Sequence, residues 1–455
     1  MSTRPDARLS TPAGTPTRPP YRHVTENCFA EMIGDGGLTG ETYRAVLAET
    51  APAFEAIRAW HKDGSRPFVR LPERRDDLPA IEAAAARLRE SFETVVVLGT
   101  GGSSLGGRTL TTVCQPTFGT VPRRARVRFV ENVESRLLDD LVRGLDLKRT
   151  AFIVVSKSGR TVETLAQFLV CLAAMRRTIE PKRLGEHVLV ITEPGTSPLR
   201  RLAEHERFEI IDHDPALGGR FSALSVVGLL PAVIAGLDAT ATREGAAAVL
   251  RETLAASEPG ASAPAVGAAI NVAMHRHKGI AQTVLMPYGD SLSPFSLWYR
   301  QLWAESLGKD GKGTTPINSI GTVDQHSQLQ LYLAGPADKL YTFVTVDCAG
   351  TGMVIPSAEG LGGEIDWLTG RTMGDLMSAS QRATWKTLVK RGRPVRLIRL
   401  PVLDARAMGA MMMHFMLETV VAAHLFGVEP FDQPAVEAGK VLARRYMERV
   451  TPRPS

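Results

Sequence analysis

The sequence predicts an α/β protein of two units, each a doubly wound parallel sheet with helices on both faces. Short apolar runs typical of strands buried on both faces alternate with amphipathic helical segments. The order strand, loop, helix recurs in the second half of the chain. A length of 455 residues also exceeds what one ordinary core accommodates, which favours two domains in an αβα sandwich arrangement.

The first unit follows an N-terminal lead, residues 1–50. The first twenty residues of this lead are rich in Ser, Thr, Pro and Arg and are expected to be disordered. Continuous apolar runs bounded by turn residues predict strands, and spacings of three and four predict helices. The predicted strands are 94–98, 126–130, 151–155 and 188–191, and the predicted helices are 39–61, 78–92, 136–145 and 224–237.

The boundary region before the second unit consists of an alanine-rich helical segment, 242–256, and a Pro/Gly/Ser-rich stretch, 258–264. The predicted domains are 51–240 and 241–446, followed by a tail, 447–455. The predicted strands are 283–286, 341–346 and 395–400, and the predicted helices are 242–256, 298–309 and 408–428. The last of these contains His414, Glu418 and His424, which favours a buried helix over a membrane span.

Composition narrows the class of function. The net charge is +6, but the arginines are scattered, which argues against nucleic acid as a partner and suits a small anionic substrate. The four cysteines are far apart, and neither Cys nor His spacing suggests a metal site. No signal peptide is recognisable. We therefore expect a cytoplasmic enzyme without a membrane segment, a metal or another cofactor.

A glycine-rich loop, residues 99–106, follows the first strand and includes Gly102 and Ser103. Glycines let a backbone approach a ligand, and the next helix starts with free N–H groups, so the loop is a candidate phosphate or sugar site. A dinucleotide loop is the competing interpretation, but Ser104 replaces its third glycine and Glu131 follows too late for the ribose contact. A plain tight turn also stays open.

A second loop carries hydroxyl groups at the end of strand 151–155. It contains Ser156, Lys157, Ser158 and Thr161 and leads directly into a helix. Ligands of such sheets bind at the carboxyl ends of the strands, where hydroxyls and helix N–H groups can surround a phosphate monoester. The alternative is an ordinary capped helix start.

Helix 298–309 places one carboxylate at the edge of its buried face. Ser293 and Pro294 supply the expected cap and first turn, and Gln301 precedes Glu305 by one turn. At about 100° per residue, Glu305 lies roughly 80° from the centre of the apolar stripe, where partial desolvation suits a general base. The stripe consists of Phe295, Trp298, Tyr299, Leu302 and Ser306. The alternative is a surface glutamate at a helix end.

Three further side chains are candidates for the chemistry. Arg220 follows paired glycines, which can bring its guanidinium close to a developing oxyanion, although a surface salt bridge is an alternative. His326 opens a polar helix start and can move protons, and Lys440 in the last helix is a candidate proton donor. A structural histidine and a solvated lysine are the alternatives for these two.

Taken together, these stretches resemble the phosphoglucose isomerase family from about residue 50 to residue 446. A single motif could match by chance, but here six separate motifs occur in the order that the family shows. The motifs are Gly101 to Ser103; Ser156-Lys157 with Ser158, Thr161 and Thr164; Gly219-Arg220; Glu305-Ser306 with Gly308-Lys309; Gln325-His326; and Gln433 with Glu437 and Gly439-Lys440.

The resemblance implies two sugar-isomerase (SIS-type) domains that interconvert glucose 6-phosphate and fructose 6-phosphate in glycolysis and gluconeogenesis. Glu305 would move the proton between C1 and C2, and Arg220 would stabilise the cis-enediolate. His326 and Lys440 would serve ring opening, with the counterpart of His326 entering the partner's site in a homodimer. The remaining substrate-binding residues would be Gly102, Ser103, Ser156, Lys157, Ser158, Thr161, Gln301 and Gln433.

Three positions depart from the family pattern: Leu307, Asp324 and Arg160. Arg160 adds charge beside the phosphate loop, so an isomerase of another hexose phosphate is an alternative. A non-catalytic sugar-phosphate-binding protein and a nicotinamide-dependent dehydrogenase are two others. The first would not need Glu305, and the second would need the loop at Gly99 to bind a dinucleotide.

Overall fold

A computed structural model of the chain describes residues 18–119, 124–357 and 362–452. The first seventeen residues, and with them most of the segment predicted to be disordered, lie outside the described residues. The strands are β1 (Arg22–Val24), β2 (Thr94–Leu98), β3 (Arg126–Val130), β4 (Thr150–Val155), β5 (Val188–Thr192), β6 (Glu209–Asp212), β7 (Gln282–Pro287), β8 (Thr315–Asn318), β9 (Lys339–Val346) and β10 (Val395–Leu400).

Helices surround these strands. They are α1 (Ala30–Ile33), α2 (Gly40–Ala48), α3 (Ala51–Asp63), α4 (Leu78–Ser91), α5 (Leu105–Thr111), α6 (Ser135–Gly144), α7 (Val162–Thr178), α8 (Pro198–Glu206), α9 (Val226–Ala235), α10 (Ala239–Ala255), α11 (Ala263–Lys278), α12 (Ser293–Leu307), α13 (Leu329–Ala334), α14 (Met373–Lys390), α15 (Ala405–Phe426) and α16 (Glu437–Met447).

The first sheet has the order β3-β2-β4-β5-β6, and every pairing in it is parallel. Its central strands are apolar except for one threonine at an end of each, because helices cover both faces. On β2, Val95 and Val97 pack into one core while Val96 and Leu98 pack into the other. The predicted strands match the observed ones within one residue at each end. Only the short edge strand β6, half of which is charged, was not predicted.

The second sheet has the order β1-β10-β9-β7-β8. Its strands run parallel except β1, which pairs antiparallel with β10. β1 comes from the N-terminal lead and contributes an edge that local sequence did not indicate. The α/β class with two largely parallel sheets is confirmed. The proposed domain limits stay a prediction.

The largest core lies between the two sheets, and α15 runs through it. Among the described residues, α15 is the helix whose length and composition would allow a membrane span, yet 94% of its apolar window is buried inside the protein. The interpretation of this segment as a buried helix is therefore confirmed.

One predicted helix, 39–61, is two helices in the structure. The chain breaks between α2 and α3, where the Thr50 hydroxyl donates to the Leu47 carbonyl at 2.7 Å. Pro52 then occupies the first turn of α3, where its missing N–H costs nothing. The helical period continues across the break, so the pattern alone did not reveal it.

Candidate active site

The two candidate loops lie side by side at the carboxyl edge of the first sheet. β2 and β4 are adjacent and parallel, with Leu98 paired to Val154. β2 leads into a 3-10 turn, Gly101–Ser103, and then α5. β4 leads into residues 156–161 and then α7. The sheet therefore brings together segments that are more than fifty residues apart in sequence.

The loop after β4 folds back on itself at the start of α7. The hydroxyls of Ser156 and Thr161 are 2.9 Å apart, and Ser156 is buried. Gly159 turns the chain with φ +58°, and a Cβ there would lie 2.0 Å from Ser197 Oγ. Lys157 is half-buried and Ser158 exposed. Hydroxyls and the free N–H groups of a 17-residue helix thus converge, as an anion requires.

The glycine-rich loop touches the segment that carries Arg220. A Cβ on Gly102 would lie 2.3 Å from the carbonyl carbon of Gly219, so the two backbones are in direct contact. A Cβ on Gly101 would lie 2.8 Å from Nε2 of Gln301. The backbone contact at Gly102 requires glycine, and the φ of +57° at Gly101 favours glycine there. Ser103 is half-buried and completes the turn.

Glu305 lies at the border of the buried face of α12, as its spacing predicted. All five residues of the predicted stripe are buried. The Glu305 side chain is 33% exposed. Its Oε1 accepts a hydrogen bond from Gln301 Nε2 at 3.0 Å. One expectation is wrong in detail: Ser293 is the first residue of the helix rather than its cap.

Arg220 is buried beside Glu305, with 3% of its side chain exposed. Its Nη1 donates to Glu305 Oε2 at 3.2 Å, and its Nε donates to Ser306 Oγ at 2.9 Å. Burial lowers the pKa of the guanidinium, while the Glu305 and Asp432 carboxylates act in the opposite direction. The alternative of a surface salt bridge is therefore wrong.

A segment near the C-terminus closes the site over Arg220. Gln433 Oε1 accepts from Arg220 Nη1 at 2.8 Å, and the Asp432 carbonyl accepts from Nη2 at 3.0 Å. The Pro430 carbonyl accepts from the same nitrogen. Lys309 Nζ lies 2.8 Å from Asp432 Oδ1 and ties this segment to the end of α12.

Sequence reasoning missed these contacts of Pro430 and Asp432 with Arg220. Both residues bind through backbone carbonyls, and a carbonyl has no sequence signature. Lys309 was a partial signal for this segment, because it belongs to the motif Glu305-Ser306 with Gly308-Lys309. The sequence did not indicate which residue it contacts.

His326 is exposed at the end of a 3-10 turn, Val323–His326. It makes no hydrogen bond or ion pair with another residue that the structure describes. The turn is held by Asp324, whose Oδ2 accepts from the Ile320 N–H at 2.6 Å and whose Oδ1 accepts from the Ser327 hydroxyl at 2.5 Å. Asp324, one of the three residues that depart from the family pattern, thus stabilises the turn that carries His326.

Lys440 lies apart from the other candidates. Its helix, α16, has no buried residue, and Lys440 Nζ is 2.6 Å from Glu437 Oε1. No contact joins it to Glu305 or Arg220 among the described residues. A single chain therefore brings together Glu305, Arg220, Gln301 and Gln433, but not His326 or Lys440.

The other two residues that depart from the family pattern, Leu307 and Arg160, have different surroundings. Leu307 is fully buried and packs in the largest core. Arg160 is exposed in the loop before α7, and its backbone N–H donates to Ser158 Oγ at 3.3 Å. Within the described part of the chain, no group of three His, Cys, Asp or Glu side chains is placed to hold a metal ion.

Comparisons with known proteins agree with this architecture. A family model described as phosphoglucose isomerase matches residues 84–336. A Rubrobacter xylanophilus protein named glucose-6-phosphate isomerase is 40% identical over 91% of this chain and 96% of its own. A protein of that name from Thermus thermophilus is 36% identical over 92% of this chain and 96% of its own.

Two solved structures share the fold. A hypothetical protein from Thermus thermophilus superposes with a TM-score of 0.81 at 33% identity, covering 94% of this chain and 99% of its own. A glucose-6-phosphate isomerase from Chlamydia trachomatis gives 0.73 at 22% identity, covering 90% and 86%. With its motifs in order and relatives that match almost end to end, this chain belongs to the phosphoglucose isomerase family.

Proposed function

We propose that this chain catalyses the reversible isomerisation of glucose 6-phosphate and fructose 6-phosphate through a cis-enediolate, in glycolysis and gluconeogenesis. Relatives named glucose-6-phosphate isomerase, 40% and 36% identical to it, support this activity. The observation that carries the mechanism is the position of Glu305, whose carboxylate lies between the Arg220 guanidinium and the Gln301 amide.

Glu305 serves as the base that moves the proton between C1 and C2 of the open-chain sugar. Proton removal next to a carbonyl needs a positioned base and a cation near the oxygen that gains charge. Arg220 supplies that cation. It is held by five hydrogen bonds and is nearly inaccessible, whereas Glu305 is one-third exposed and can reach a substrate. Gln301 and Gln433 orient the two groups.

The phosphate binds at the start of α7. Ser156, Ser158 and Thr161 supply hydroxyl donors there, and Lys157 supplies a positive charge. Loop residues Gly102 and Ser103 line the path between this phosphate site and Arg220, because the Gly102 backbone touches Gly219. In this arrangement the carbon chain of the sugar extends from the phosphate loop at the start of α7 to Glu305.

His326 and Lys440 serve ring opening in a homodimer. The exposure of His326 suits a side chain that completes the site of a second copy. Helix α16 also exposes Val441, Leu442, Tyr446 and Met447, and exposed apolar side chains on one helix are typical of an interaction surface. Light scattering after size-exclusion chromatography tests the dimer, and Leu442→Glu combined with Tyr446→Glu should shift it toward monomer.

We also propose a cytoplasmic location. The four cysteines are free, and unpaired thiols persist in reducing compartments. Localisation of a tagged chain in its native cell tests this point, and export of the chain would contradict it.

The decisive experiment is a coupled assay of fructose 6-phosphate conversion, with mannose 6-phosphate alongside. The second substrate is included because Arg160 adds charge at the phosphate loop. We expect turnover of fructose 6-phosphate. No turnover of either sugar by well-folded protein would refute the enzyme and favour a sugar-phosphate-binding protein. Faster turnover of mannose 6-phosphate would instead favour an isomerase of another hexose phosphate.

A further inference from the structure

A cationic cavity outside the candidate active site, here called the arginine cavity, lies at the amino edge of the first sheet. Its walls include the end of α4, the first residue of β2 and the start of β3, together with Gln115 and Arg149. Its volume is about 650 Å³. The glycine-rich loop and the phosphate loop follow the opposite ends of β2 and β4, so the length of these strands separates the cavity from the candidate active site.

The charge of this cavity is strongly unbalanced. Five arginines and two glutamates line it, which leaves a net charge of +3. Glu93 pairs with Arg149, whereas Glu90 forms no ion pair with a residue that the structure describes. The arginines are Arg89, Arg124, Arg126, Arg128 and Arg149. Guanidinium groups gathered in this way repel one another unless an anion lies among them.

Most of these guanidiniums keep donors free. Arg124 donates to the Ala235 carbonyl at 3.2 Å and Arg126 to the Thr117 carbonyl at 3.3 Å, which uses one N–H group of each and neutralises neither. Arg89 and Arg128 form no hydrogen bond or ion pair with a residue that the structure describes. Within the described part of the chain, four of the five arginines therefore have no carboxylate partner.

The wall that carries these side chains is fixed. Gln115 Nε2 donates to the Val127 carbonyl at 3.0 Å, and the Val127 N–H donates back to Gln115 Oε1 at 2.8 Å. Arg126 and Arg128 flank Val127 on β3 and project to one face of the sheet, because alternate residues of a strand share a face. Their positions relative to the cavity are thus set by the sheet.

We propose that the arginine cavity binds a small polyphosphate anion, such as inorganic tripolyphosphate or the phosphate chain of a nucleoside triphosphate. Guanidinium groups match phosphate oxygens in paired hydrogen bonds, and several phosphates in a row offset the surplus charge. The volume falls within the usual range of small-molecule sites. This site is distinct from the one that holds the sugar phosphate.

Calorimetric titration of the full chain with tripolyphosphate, and separately with ATP, both without divalent metal, tests the proposal. The variant Arg89→Glu combined with Arg128→Glu should bind at least about tenfold more weakly, because each lost contact is charge-assisted. Arg177→Glu combined with Arg382→Glu makes the same charge change on exposed positions outside the cavity and should bind like the unaltered chain. Lys157→Ala removes a charge at the sugar-phosphate loop and should also leave this binding unchanged.

The two titrations distinguish a bare phosphate chain from a nucleotide as the ligand. Equal affinity for tripolyphosphate and ATP indicates that the phosphate chain alone is bound, and tighter ATP binding indicates a nucleotide. Absence of binding, loss in Lys157→Ala with retention in the cavity variant, or equal weakening by both double variants overturns the proposal. Arg89→Lys combined with Arg128→Lys is the control for misfolding of the cavity variant. It should keep part of the affinity, and its thermal unfolding midpoint should equal that of the unaltered chain.

Discussion

Two arginine–glutamate pairs in this protein consist of the same side chains in opposite surroundings. Arg396 and Glu418 are both fully buried and joined by two hydrogen bonds of 2.9 and 2.7 Å. Arg220 and Glu305 share one hydrogen bond of 3.2 Å, and only the arginine is buried. The first pair is closed to any ligand, whereas the second leaves its carboxylate in reach of one.

The closed pair is saturated by its neighbours. Asn271 Nδ2 and His414 Nε2 each lie 3.0 Å from the Glu418 carboxylate, and Arg396 Nε donates to Thr342 Oγ1 at 2.7 Å. These contacts tie α11, α15, β9 and β10 together. A charge pair with all its partners inside the fold is structural, and one with an accessible carboxylate is available for chemistry.

The largest effect is expected for Glu305→Gln in the open pair. Loss of a general base lowers kcat by about 10²- to 10⁴-fold. The free energy of unfolding should fall by less than in the closed pair, because Glu305 is partly solvated and Arg220 keeps four other acceptors. The coupled assay and denaturant unfolding measure the two quantities.

Glu55→Gln is the matched control, since Glu55 is exposed and pairs with Arg58 at the surface. It should leave both quantities unchanged. Isomerase activity that survives Glu305→Gln with little loss would falsify the assignment of the base.

For Glu418→Gln in the closed pair, we expect the main effect on the free energy of unfolding rather than on kcat. Removing one partner leaves the Arg396 charge buried without compensation, which costs about 3–5 kcal/mol of unfolding free energy. Denaturant unfolding measures this loss. Glu49→Gln breaks an exposed pair with Arg276 and should cost no more than about 1 kcal/mol. A similar loss in both variants would mean that burial does not separate the two kinds of pair.

A smaller effect is expected for Gly102→Ala, which tests how the open pair is positioned. The added methyl group would meet the Gly219 backbone at 2.3 Å, so the loop or the segment before Arg220 must shift, at about 1–3 kcal/mol. We expect a lower kcat/KM in the coupled assay. Gly144→Ala meets no atom within 4 Å and should keep full activity. Unimpaired Gly102→Ala would show that this contact does not set the site.

The smallest effect is the pH dependence of the closed pair. Burial alone would raise the pKa of Glu418, but the Arg396 guanidinium and a hydrogen bond with His414 lower it from 4.5 to about 2. Burial also lowers the pKa of His414 below its usual value. Both groups bind protons more readily in the unfolded chain, so stability is present at neutral pH and falls on acidification.

Between pH 4.5 and 3.5 we expect a loss of about 1 kcal/mol from Glu418. Urea unfolding at the two pH values measures it, and Glu418→Gln should reduce the difference. An equal pH dependence in that variant would place its origin in other carboxylates.

The sequence by itself determined the α/β class, most strand and helix positions, the family, and the location of Glu305 at the edge of a buried helix face. These features are encoded locally, because strand and helix periods and the order of short motifs are visible within a few residues of each other. The break between α2 and α3 escaped prediction only because the period runs through it.

Tertiary structure alone decided which groups meet. Arg220 is held by residues 305, 306, 430, 432 and 433, all of them more than eighty positions away, and in part through backbone carbonyls that no side-chain pattern marks. The edge strand β1 likewise pairs with β10, which lies far along the chain. The exposure of His326 and Lys440 and the clustering of the cavity arginines depend on long-range packing in the same way, since solvent access is a property of the assembled surface rather than of a segment.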